Sequence, residues 1–593
     1  MADYRAPVKD MRFVINELAG LAELAAFPAF ADATPDLVEA VLQEAAQLAT
    51  TVVAPTNWPG DQQGARLENG QVHVPAEFAA AYRQYVEGGW PGMVMNPEHG
   101  GQGLPNAVGV AVDEMMHSAN MAWSLCPMLT QGAIHALESH GSPELQGVFL
   151  DRLVAGEWTG TMNLTEPQAG SDLSLVRSLA TPAGDAWAVT GQKIYITWGD
   201  HDMTDNVIHL VLARTPDAPP GVRGLSLFIV PKYKVAQDGT IGEANSVEVV
   251  SIEHKLGIHS SPTCVLSFKD ATGYLVGEIG DGLACMFTMM NSARLNVGLQ
   301  GVAISERAYQ AALAYAVDRQ QGRAPGGTAT ARIIEHADVR RMLLTIKAET
   351  EAMRALAYVA LAELDREQHA EGAAQAAAAA RVDLLTPIVK GWCTERSQVL
   401  TSIGVQVHGG MGYVEETGAA QYLRDARILT IYEGTTGIQA SDLVGRKVLR
   451  DKGAALTSML DDMQSVVGQL QGAGAEVASL AGALQEAVAA CRDALACLLE
   501  QAAQDPHFAG AVGYHFLMLL GTTAGGWQMG RAALAALARR TEDPAEGDFY
   551  AAKLTTARVY AEQSLPLALA HARSLKAGSE ALLDFSLEQF ETA

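Results

Sequence analysis

The hydrophobic periodicity of this chain changes twice, near Trp158 and near Asp281, and these changes constrain the fold more than any other feature. Before Trp158 the apolar residues recur at helical spacing, as in Pro35–Ala54. From about residue 160 to 275 the apolar segments are short, β-branched and separated by Gly, Pro and Asp, which predicts strands. Beyond Asp281 long helical patterns return. Because helices and strands do not alternate, a doubly wound nucleotide-binding fold is disfavoured.

The predicted fold is mostly α-helical, with a central β-domain and a further helical domain at the C-terminus. A chain of 593 residues is too long to fold around a single hydrophobic core, because such cores stop growing at about 250–300 residues. We predict a helical domain at 1–159, a β-sandwich domain at 160–280, a helical domain at 281–450 and a C-terminal helical domain at 451–593. Short, regularly spaced strands are typical of a small sandwich or barrel. The predicted strands are Trp187–Thr190, Lys193–Thr197, Val207–Arg214, Leu225–Val230, Val247–Ile252 and Thr263–Phe268.

Charge and cysteine content exclude several classes of partner. The net charge of -26 repels phosphate backbones and anionic membranes, so we predict no nucleic-acid partner. The six cysteines are scattered without C-x-x-C spacing, which favours a reducing cytoplasm over a disulfide framework or a zinc site. No secretory signal pattern is found at the N-terminus, and no run reaches the roughly 18 apolar residues of a membrane span. We therefore predict a cytoplasmic protein without a membrane span.

Two motifs in the predicted β-domain suit a flat polar ligand. Met162–Ser171 (MNLTEPQAGS) combines hydroxyls, a proline and a glycine, which can bring backbone amides close to a ring or a phosphate. The alternative is a plain turn capped by Asp172. Gly191–Thr197 (GQKIYIT) enters a strand that can present residues 195–197 to an aromatic face. The alternative there is an ordinary strand with an exposed Lys193.

Two more motifs lie in the third predicted domain. The glycines of Gly404–Tyr413 (GVQVHGGMGY) let the backbone approach a ligand, although a turn that ends a helix has the same composition. Ile431–Gln439 (IYEGTTGIQ) places Glu433 between an aliphatic–aromatic pair and a Gly-Thr-Thr turn. Partial desolvation of such a carboxylate raises its pKa toward that of a working general base. The alternative is a glutamate that caps a helix beginning near Gly437.

The ordered set LTEPQAGSD, GQKIYIT, Arg319–Gln321 after a long helix, QVHGG, RDARI and IYEGTTGIQ resembles the acyl-CoA dehydrogenase family over about residues 35–450. The remaining C-terminal block resembles the added helical domain of the larger members. Among these, the overall length and the ITWGDHD stretch are similar to the 3-methylmercaptopropionyl-CoA dehydrogenase type. The resemblance implies an α-helical, β-sandwich, α-helical body that binds FAD between domains and across a dimer interface.

The resemblance also implies a reaction. A member of this family converts an acyl-CoA thioester to a trans-2-enoyl-CoA by FAD-dependent α,β-dehydrogenation, and 3-(methylthio)propanoyl-CoA is one alternative substrate. Glu433 matches the catalytic base. It would lie on one face of the acyl chain, with the flavin on the other face. Some members place this glutamate on the long helix instead, but the corresponding residue here is Ala293, which cannot act as a base.

Site residues are implied position by position. Substrate contacts are implied at Ser171, Asn291, Arg294 and Gly434, where Arg294 would supply positive charge for the CoA portion inside an acidic protein. Arg319 would meet the FAD pyrophosphate of the neighbouring subunit. The implied FAD contacts are Met162, Leu164, Thr165, Gly170, Ser171, Tyr195, Ile196, Thr197, Arg319, Gln321, Gln406, His408, Gly409, Gly410, Thr435 and Thr436.

Three positions depart from the family pattern. Tyr195 stands where many members have Trp, which affects shielding of the flavin. Asn291 stands where Asp is common, and Gln320–Gln321 replaces a more usual Lys-Thr pair.

The family also implies partners. The expected electron acceptor is an electron-transfer flavoprotein, and the added C-terminal domain favours a homodimer. Two other functions remain open at this point. One is an acyl-CoA oxidase, and the other is a DNA-associated alkylation-response flavoprotein, which the acidic composition disfavours.

A few other polar residues suggest structural roles. Asp200–Asp202 (DHD) is interpreted as a polar surface loop, since no further metal ligands occur at recognisable spacing. Arg424 and Asp425 form a candidate ion pair, and Glu415 and Glu416 are expected to be solvated.

Overall fold

The computed structural model describes residues 3–592, which fall into two compact units. Residues 1, 2 and 593, at the outer ends of the first and last predicted domains, lie outside the described part. One unit contains Pro7–Asp32 and residues 297–592 and is helical. The other contains Ala33–Asn296 and holds all of the strands found in the described residues. The first is called the helical unit and the second the β unit.

Helices make up most of the protein. Their bounds are α1 Val8–Val14, α2 Leu21–Leu24, α3 Pro35–Leu48, α4 Asn57–Gln63, α5 Ala76–Glu87, α6 Asn106–Ala119, α7 Met121–His140, α8 Pro143–Val154, α9 Gly282–Asp318, α10 Ala337–His369, α11 Gly372–His408, α12 Ala419–Ala426, α13 Thr436–Asp442, α14 Ala454–Gly472, α15 Ala478–Gln501, α16 Phe508–Glu542, α17 Gly547–Gln563, α18 Pro566–Lys576, α19 Glu580–Leu583 and α20 Leu587–Thr592. The predicted order of helices, strands and helices is confirmed.

Strands are concentrated between residues 158 and 276. They are β1 Arg66–Glu68, β2 Gln71–His73, β3 Trp158–Asn163, β4 Leu179–Ala183, β5 Ala186–Thr197, β6 Asn206–Arg214, β7 Leu225–Pro231, β8 Tyr233–Val235, β9 Ile241–Ala244, β10 Val247–Ile252 and β11 Thr263–Val276. The two strands predicted at Trp187–Thr190 and Lys193–Thr197 are one continuous strand, β5, because β11 pairs with both halves of it.

The central sheet closes on itself. β11 pairs with β5, β5 with β4, β4 with β6, β6 with β7, and β7 returns to β11, while β10 and β3 flank this ring. Its interior is filled by alternating apolar side chains such as Val211, Phe228 and Leu266, all buried. The predicted central β-domain is therefore present as a mixed seven-stranded sheet.

The C-terminal helix α16 packs closely on α11 in the helical unit. A Cβ on Gly521 would lie 2.4 Å from Cβ of Trp392, so only glycine allows this approach. Tyr560 on α17 donates a hydrogen bond to the Thr522 carbonyl at 2.8 Å. These contacts join the C-terminal helices to the core of the same unit.

Buried charges connect four helices of this unit. Arg354 on α10 donates to Asp10 of α1 at 2.7 Å and to Glu306 of α9 at 2.8 Å. Lys553 on α17 donates to Asp10 at 2.6 Å and to Glu351 of α10 at 2.9 Å. Burial alone raises the pKa of Asp10, but the Lys553 and Arg354 cations lower that pKa well below its ordinary value. The network therefore stays ionised in a desolvated environment.

One stretch of the described chain, Pro35–Gln63, meets the length and composition of a membrane span, with a mean hydropathy of 1.2. It is not one continuous α-helix, because α3 ends at Leu48 and π- and 3₁₀-helical turns precede α4. Core helices of soluble proteins pass the same test, so this stretch is weak evidence for a span.

The buried network generates a stability prediction. Replacing Lys553 by Met leaves Asp10 and Glu351 without a shared cation, which costs about 3–5 kcal/mol when one partner of a buried ion pair is lost. We expect a clearly lower free energy of unfolding for the Lys553→Met holoenzyme in urea. The control is Lys576→Met, which removes an exposed ion pair with Asp493 and should change stability by less than about 1 kcal/mol. Equal effects of the two variants would contradict the prediction.

Candidate active site

The loop that follows β3 is organised by Glu166. Its carboxylate accepts hydrogen bonds from the Ser178 hydroxyl at 2.6 Å, the Arg177 N–H at 2.8 Å and the Ser178 N–H at 3.0 Å. Lys193 on β5 donates to the same carboxylate at 2.8 Å and to the Leu164 carbonyl at 3.0 Å. Burial opposes ionisation, but the Lys193 cation and these donors lower the pKa of Glu166 to about 2. The loop thus encloses a buried ion pair.

Lys193 corrects one alternative drawn from the sequence. A strand with an exposed Lys193 was the simpler interpretation of GQKIYIT, and it is wrong because this side chain is 0% exposed. Long charged side chains are rarely buried unless they are paired, and here the partner comes from the LTEP motif. The two motifs that are implied to bind the cofactor therefore fold as one structure.

Backbone contacts join the same two segments. The Ile194 N–H donates to the Thr165 carbonyl at 2.9 Å. The next residue, Tyr195, has a left-handed backbone (φ 59°) and a ring that is 61% exposed. Such a conformation is uncommon for a bulky residue and is held by its surroundings. The result is an exposed aromatic ring beside the loop of Met162, Leu164 and Thr165, which are half-buried.

The loop at Asp200–Asp202 was interpreted as a polar surface loop, and this is wrong for its first two residues. Asp200 is 6% exposed and pairs with Lys232, and His201 is 2% exposed. The Nδ1 atom of His201 accepts the Met203 N–H at 3.1 Å, so Nε2 donates to Thr159 Oγ1 at 2.8 Å. Burial lowers the pKa of His201 to about 3, so the ring is neutral. Within residues 3–592, no three His, Cys, Asp or Glu side chains are grouped to hold a metal.

Glu433 lies in a tight turn between Arg427–Thr430 and α13. Its backbone is left-handed (φ 56°), as is that of Gly434 (φ 88°), and its side chain is half-buried. Helix α13 begins at Thr436, and its N-cap is Thr435, whose hydroxyl accepts the Ile438 N–H at 3.3 Å. The capping role that the sequence offered to Glu433 is therefore filled by Thr435.

The neighbours of Glu433 are held from several sides. The Tyr432 hydroxyl donates to Gln300 of α9, and the Thr436 hydroxyl donates to Glu395 of α11 at 2.5 Å. The Gly434 carbonyl accepts from Lys390 at 2.6 Å and from Gln439 at 3.3 Å. Sequence reasoning missed Lys390 and Gln439. A lysine in the apolar helical stretch TPIVKGWC was the available signal for the first.

Helix α11 ends in the glycine-rich motif. Gln406, Gly409 and Gly410 are exposed, and a Cβ on either glycine would meet no atom within 4 Å. His408, in contrast, is 6% exposed, and its Nδ1 atom bonds to the Gly404 carbonyl at 2.8 Å while its ring lies 4.6 Å from that of Tyr315. The structure thus presents the two glycines to solvent and turns the His408 ring inward.

The remaining implied contacts differ in exposure. Arg319, Gln320 and Gln321 follow α9 and are all exposed, as are Gly170 and Ser171 in the β unit. Asn291 is exposed. Arg294 is only 4% exposed and lies over the Phe287 ring at 5.7 Å.

Arg424 and Asp425 both have partners within the helical unit. Arg424 pairs with Glu415 at 2.8 Å, whereas Asp425 accepts from Gln421 at 3.3 Å. Glu415 and Glu416 are both exposed, as expected.

The residues present fit FAD. In the unit that holds the strands, Tyr195 offers an exposed aromatic surface and a Cβ on Gly170 would meet open space. In the helical unit, a Cβ on Gly409 or Gly410 would also meet open space. Arg319 is an exposed cation suited to a pyrophosphate.

Comparisons with known proteins identify the family of this chain. Four family models match consecutive segments. These are the acyl-CoA dehydrogenase N-terminal domain (36–157), middle domain (161–271) and C-terminal domain (280–449), and an acetyl-CoA dehydrogenase C-terminal-like domain (439–586). A 3-methylmercaptopropionyl-CoA dehydrogenase of Ruegeria pomeroyi is 49% identical and covers 98% of this chain and 100% of the relative. A broad-specificity linear acyl-CoA dehydrogenase of Mycobacterium tuberculosis is 36% identical, with 96% of each chain covered.

Solved structures share the fold at lower identity. ACDH-11 of Caenorhabditis elegans in complex with C11-CoA has a TM-score of 0.77 at 20% identity, covering 95% of this chain and 92% of that one. An acyl-CoA dehydrogenase of Bacillus anthracis complexed with FAD has a TM-score of 0.74 at 21% identity, covering 91% and 88%. The fold and the family matches define an FAD-dependent oxidoreductase that acts on acyl-CoA. The chain belongs to the acyl-CoA dehydrogenase family, as predicted.

The Glu166–Lys193 pair generates a prediction about cofactor binding. Glu166→Gln leaves Lys193 buried without its carboxylate, which loosens the loop around Thr165. We expect the dissociation constant for FAD, measured by flavin fluorescence, to rise by at least about tenfold, which corresponds to about 1.4 kcal/mol.

Glu243→Gln is the matched control, because it removes an exposed pair with Lys234 in the same unit. It should leave FAD binding within about twofold of the wild type. Normal FAD affinity in Glu166→Gln would show that the buried pair does not support the cofactor loop.

Proposed function

We propose that Glu433 is the base that removes the α-proton of the acyl-CoA substrate. The observation that carries this proposal is the half-buried carboxylate on a left-handed backbone turn, with fixed neighbours on both sides. At the other position where family members carry the base, Ala293 is buried and apolar. A carboxylate held in one orientation is what proton abstraction from carbon requires.

The chemistry of a thioester explains why the base must be held in position. Its α-proton is weakly acidic in water, so removal needs both a positioned base and hydrogen bonds to the developing enolate oxygen. The carboxylate of Glu433 takes the α-proton, and the backbone N–H of Glu433 donates to the thioester oxygen. When bound, FAD would supply the acceptor for the β-hydrogen as hydride and a ribityl hydroxyl as a second hydrogen-bond donor to this oxygen. The product is a trans-2-enoyl-CoA.

We also propose how the chain holds FAD and CoA. Residues of the two fused motifs, Met162–Ser171 and Tyr195–Thr197, line the flavin, and the buried Glu166–Lys193 pair keeps them together. Arg319, with Gln321 nearby, meets the pyrophosphate. FAD contacts are also proposed at Gln406, His408, Gly409, Gly410, Thr435 and Thr436, and substrate contacts at Ser171, Asn291, Arg294 and Gly434.

Removing the base tests the central proposal. Glu433→Gln keeps the size and polarity of the side chain but cannot accept the α-proton. We expect normal FAD content by absorbance and a fall of at least about 10³-fold in the rate of flavin reduction, within the range for a lost general base. Glu416→Gln, at an exposed site, is the control and should reduce FAD at the wild-type rate. Near-normal turnover in Glu433→Gln would refute the role of this residue.

We propose a short-chain thioester, 3-(methylthio)propanoyl-CoA, as the substrate. The support is the relative of that name, which is 49% identical over its full length. The straight-chain analogue of equal length is pentanoyl-CoA, in which a methylene replaces the sulfur.

An anaerobic flavin-bleaching screen over thioesters of graded length tests this substrate. We expect the highest kcat/KM for 3-(methylthio)propanoyl-CoA and pentanoyl-CoA, and a loss of at least about tenfold for dodecanoyl-CoA, since each misfitting methylene costs about 1–3 kcal/mol. A preference for long chains would contradict the proposal. Admitting oxygen to the bleached enzyme separates the two acceptor classes, because an oxidase regains its colour rapidly and a dehydrogenase does so slowly.

We also propose an electron acceptor, a metabolic step, a cellular location and an oligomeric state. An electron-transfer flavoprotein is the expected acceptor, and the reaction is that of the first step of fatty acid β-oxidation. We propose a cytoplasmic homodimer. The support is the acidic composition, which disfavours anionic membranes and nucleic acid, and the additional C-terminal helices α14–α20.

A further inference from the structure

The turn that carries Glu433 has an unfavourable backbone. A left-handed conformation is unfavourable for a residue other than glycine, and Glu433 adopts it directly before Gly434, which is also left-handed. The positive φ of Gly434 favours glycine, and a Cβ there would lie 2.7 Å from Nε2 of Gln439 and would displace that amide. Such backbone strain persists only where the surrounding structure over-determines it. The residues that do so here can be named.

Two buried donors converge on the carbonyl groups of this turn. Lys390 Nζ donates to the Gly434 carbonyl at 2.6 Å, and Gln439 Nε2 donates to the carbonyls of Glu433 at 3.2 Å and Gly434 at 3.3 Å. Both side chains are 0% exposed. Lys390 makes the shortest of these bonds, and Gln439 spans both peptide groups.

The Gln439 amide is oriented with its NH₂ group, and not its carbonyl oxygen, against the turn. The Oε1 atom is buried without a hydrogen-bond partner among residues 3–592, which is unfavourable for a polar atom. Rotating the amide by half a turn would place that oxygen against two carbonyl oxygens, which repel it. The fold thus tolerates an unsatisfied acceptor in order to direct N–H groups at the carbonyls of Glu433 and Gly434.

We propose that Lys390 and Gln439 are positioning residues for the catalytic base. They touch neither the substrate nor the cofactor in this scheme. By holding the carbonyls of Glu433 and Gly434, they fix the direction of the Glu433 side chain and of its N–H group. The inference rests on the role proposed for Glu433. Displacing a reacting group by about 1 Å can cost about 10²-fold in rate, so the loss of either restraint should slow proton abstraction.

The test isolates proton abstraction from hydride transfer. An alkoxyacetyl-CoA has oxygen at the β-position and carries no β-hydrogen, so only its α-hydrogens can react. Holoenzyme in D₂O exchanges these hydrogens through the base, and mass spectrometry measures the rate per bound FAD. For Lys390→Met we expect a fall of about 100-fold, with FAD content and alkoxyacetyl-CoA affinity within about threefold of the wild type. For Gln439→Met we expect a fall of about tenfold.

The controls separate the possible failures. Lys447→Met removes a lysine that pairs with Asp383 on the same helix as Lys390 and should exchange at the wild-type rate. In the double variant Lys390→Met, Gln439→Met, the combined loss should be smaller than the product of the single losses, because both donors hold the same turn. Gln439→Met tests the inference by itself if Lys390→Met does not fold.

Two results would separate a failure of the proposed base from a failure of the positioning role. If Glu433→Gln exchanges normally, the proposed base is wrong. If Glu433→Gln is inactive but Lys390→Met and Gln439→Met lose thermal stability and still exchange at the wild-type rate, the base stands and the positioning role is overturned.

Discussion

The geometry of the Glu433–Gly434 turn depends on donors that are buried with it. Glu433 and Gly434 adopt adjacent left-handed conformations, which an isolated chain disfavours. The turn is stable because its carbonyls meet Lys390 and Gln439, while Tyr432 and Thr436 bond to Gln300 and Glu395 of the surrounding helices. Every one of these partners belongs to an element that is itself packed. The orientation of one carboxylate is therefore a property of the helical unit and not of the IYEGTTGIQ motif alone.

Buried ion pairs serve a comparable purpose elsewhere. In the β unit, Glu166 and Lys193 join the LTEP loop to strand β5. In the helical unit, Lys553 of the C-terminal helix α17 joins Asp10 and Glu351. A buried ion pair contributes little net stability, but it strongly penalises any arrangement that separates the charges. Such pairs therefore suit places where the relative position of segments matters, including the attachment of α17 to the helices of its own unit.

Sequence reasoning succeeded where the signal was periodic or collective. The order of helices and strands, the central β-domain and the family followed from apolar spacing and from a set of motifs in a specific order. It failed for single polar residues. The alternative interpretation of GQKIYIT had Lys193 exposed, but this residue is buried. His201 was assigned to a surface loop and lies in the interior. Lys390 and Gln439 were not recognised, because their partners are backbone carbonyls, which leave no mark in the sequence.

The sequence by itself determined the class of fold, because helical and strand periods are local properties of a chain. The cofactor and Glu433 as the candidate base followed from the resemblance of its ordered motifs to one family. Only the tertiary structure decided which charges are buried, which donors meet the Glu433–Gly434 turn and which residue caps α13. These features depend on residues such as Lys390 and Gly434, or Glu166 and Ser178, that approach each other only after folding. Burial then removes water as a competing partner, and the direction of each hydrogen bond is set by packing.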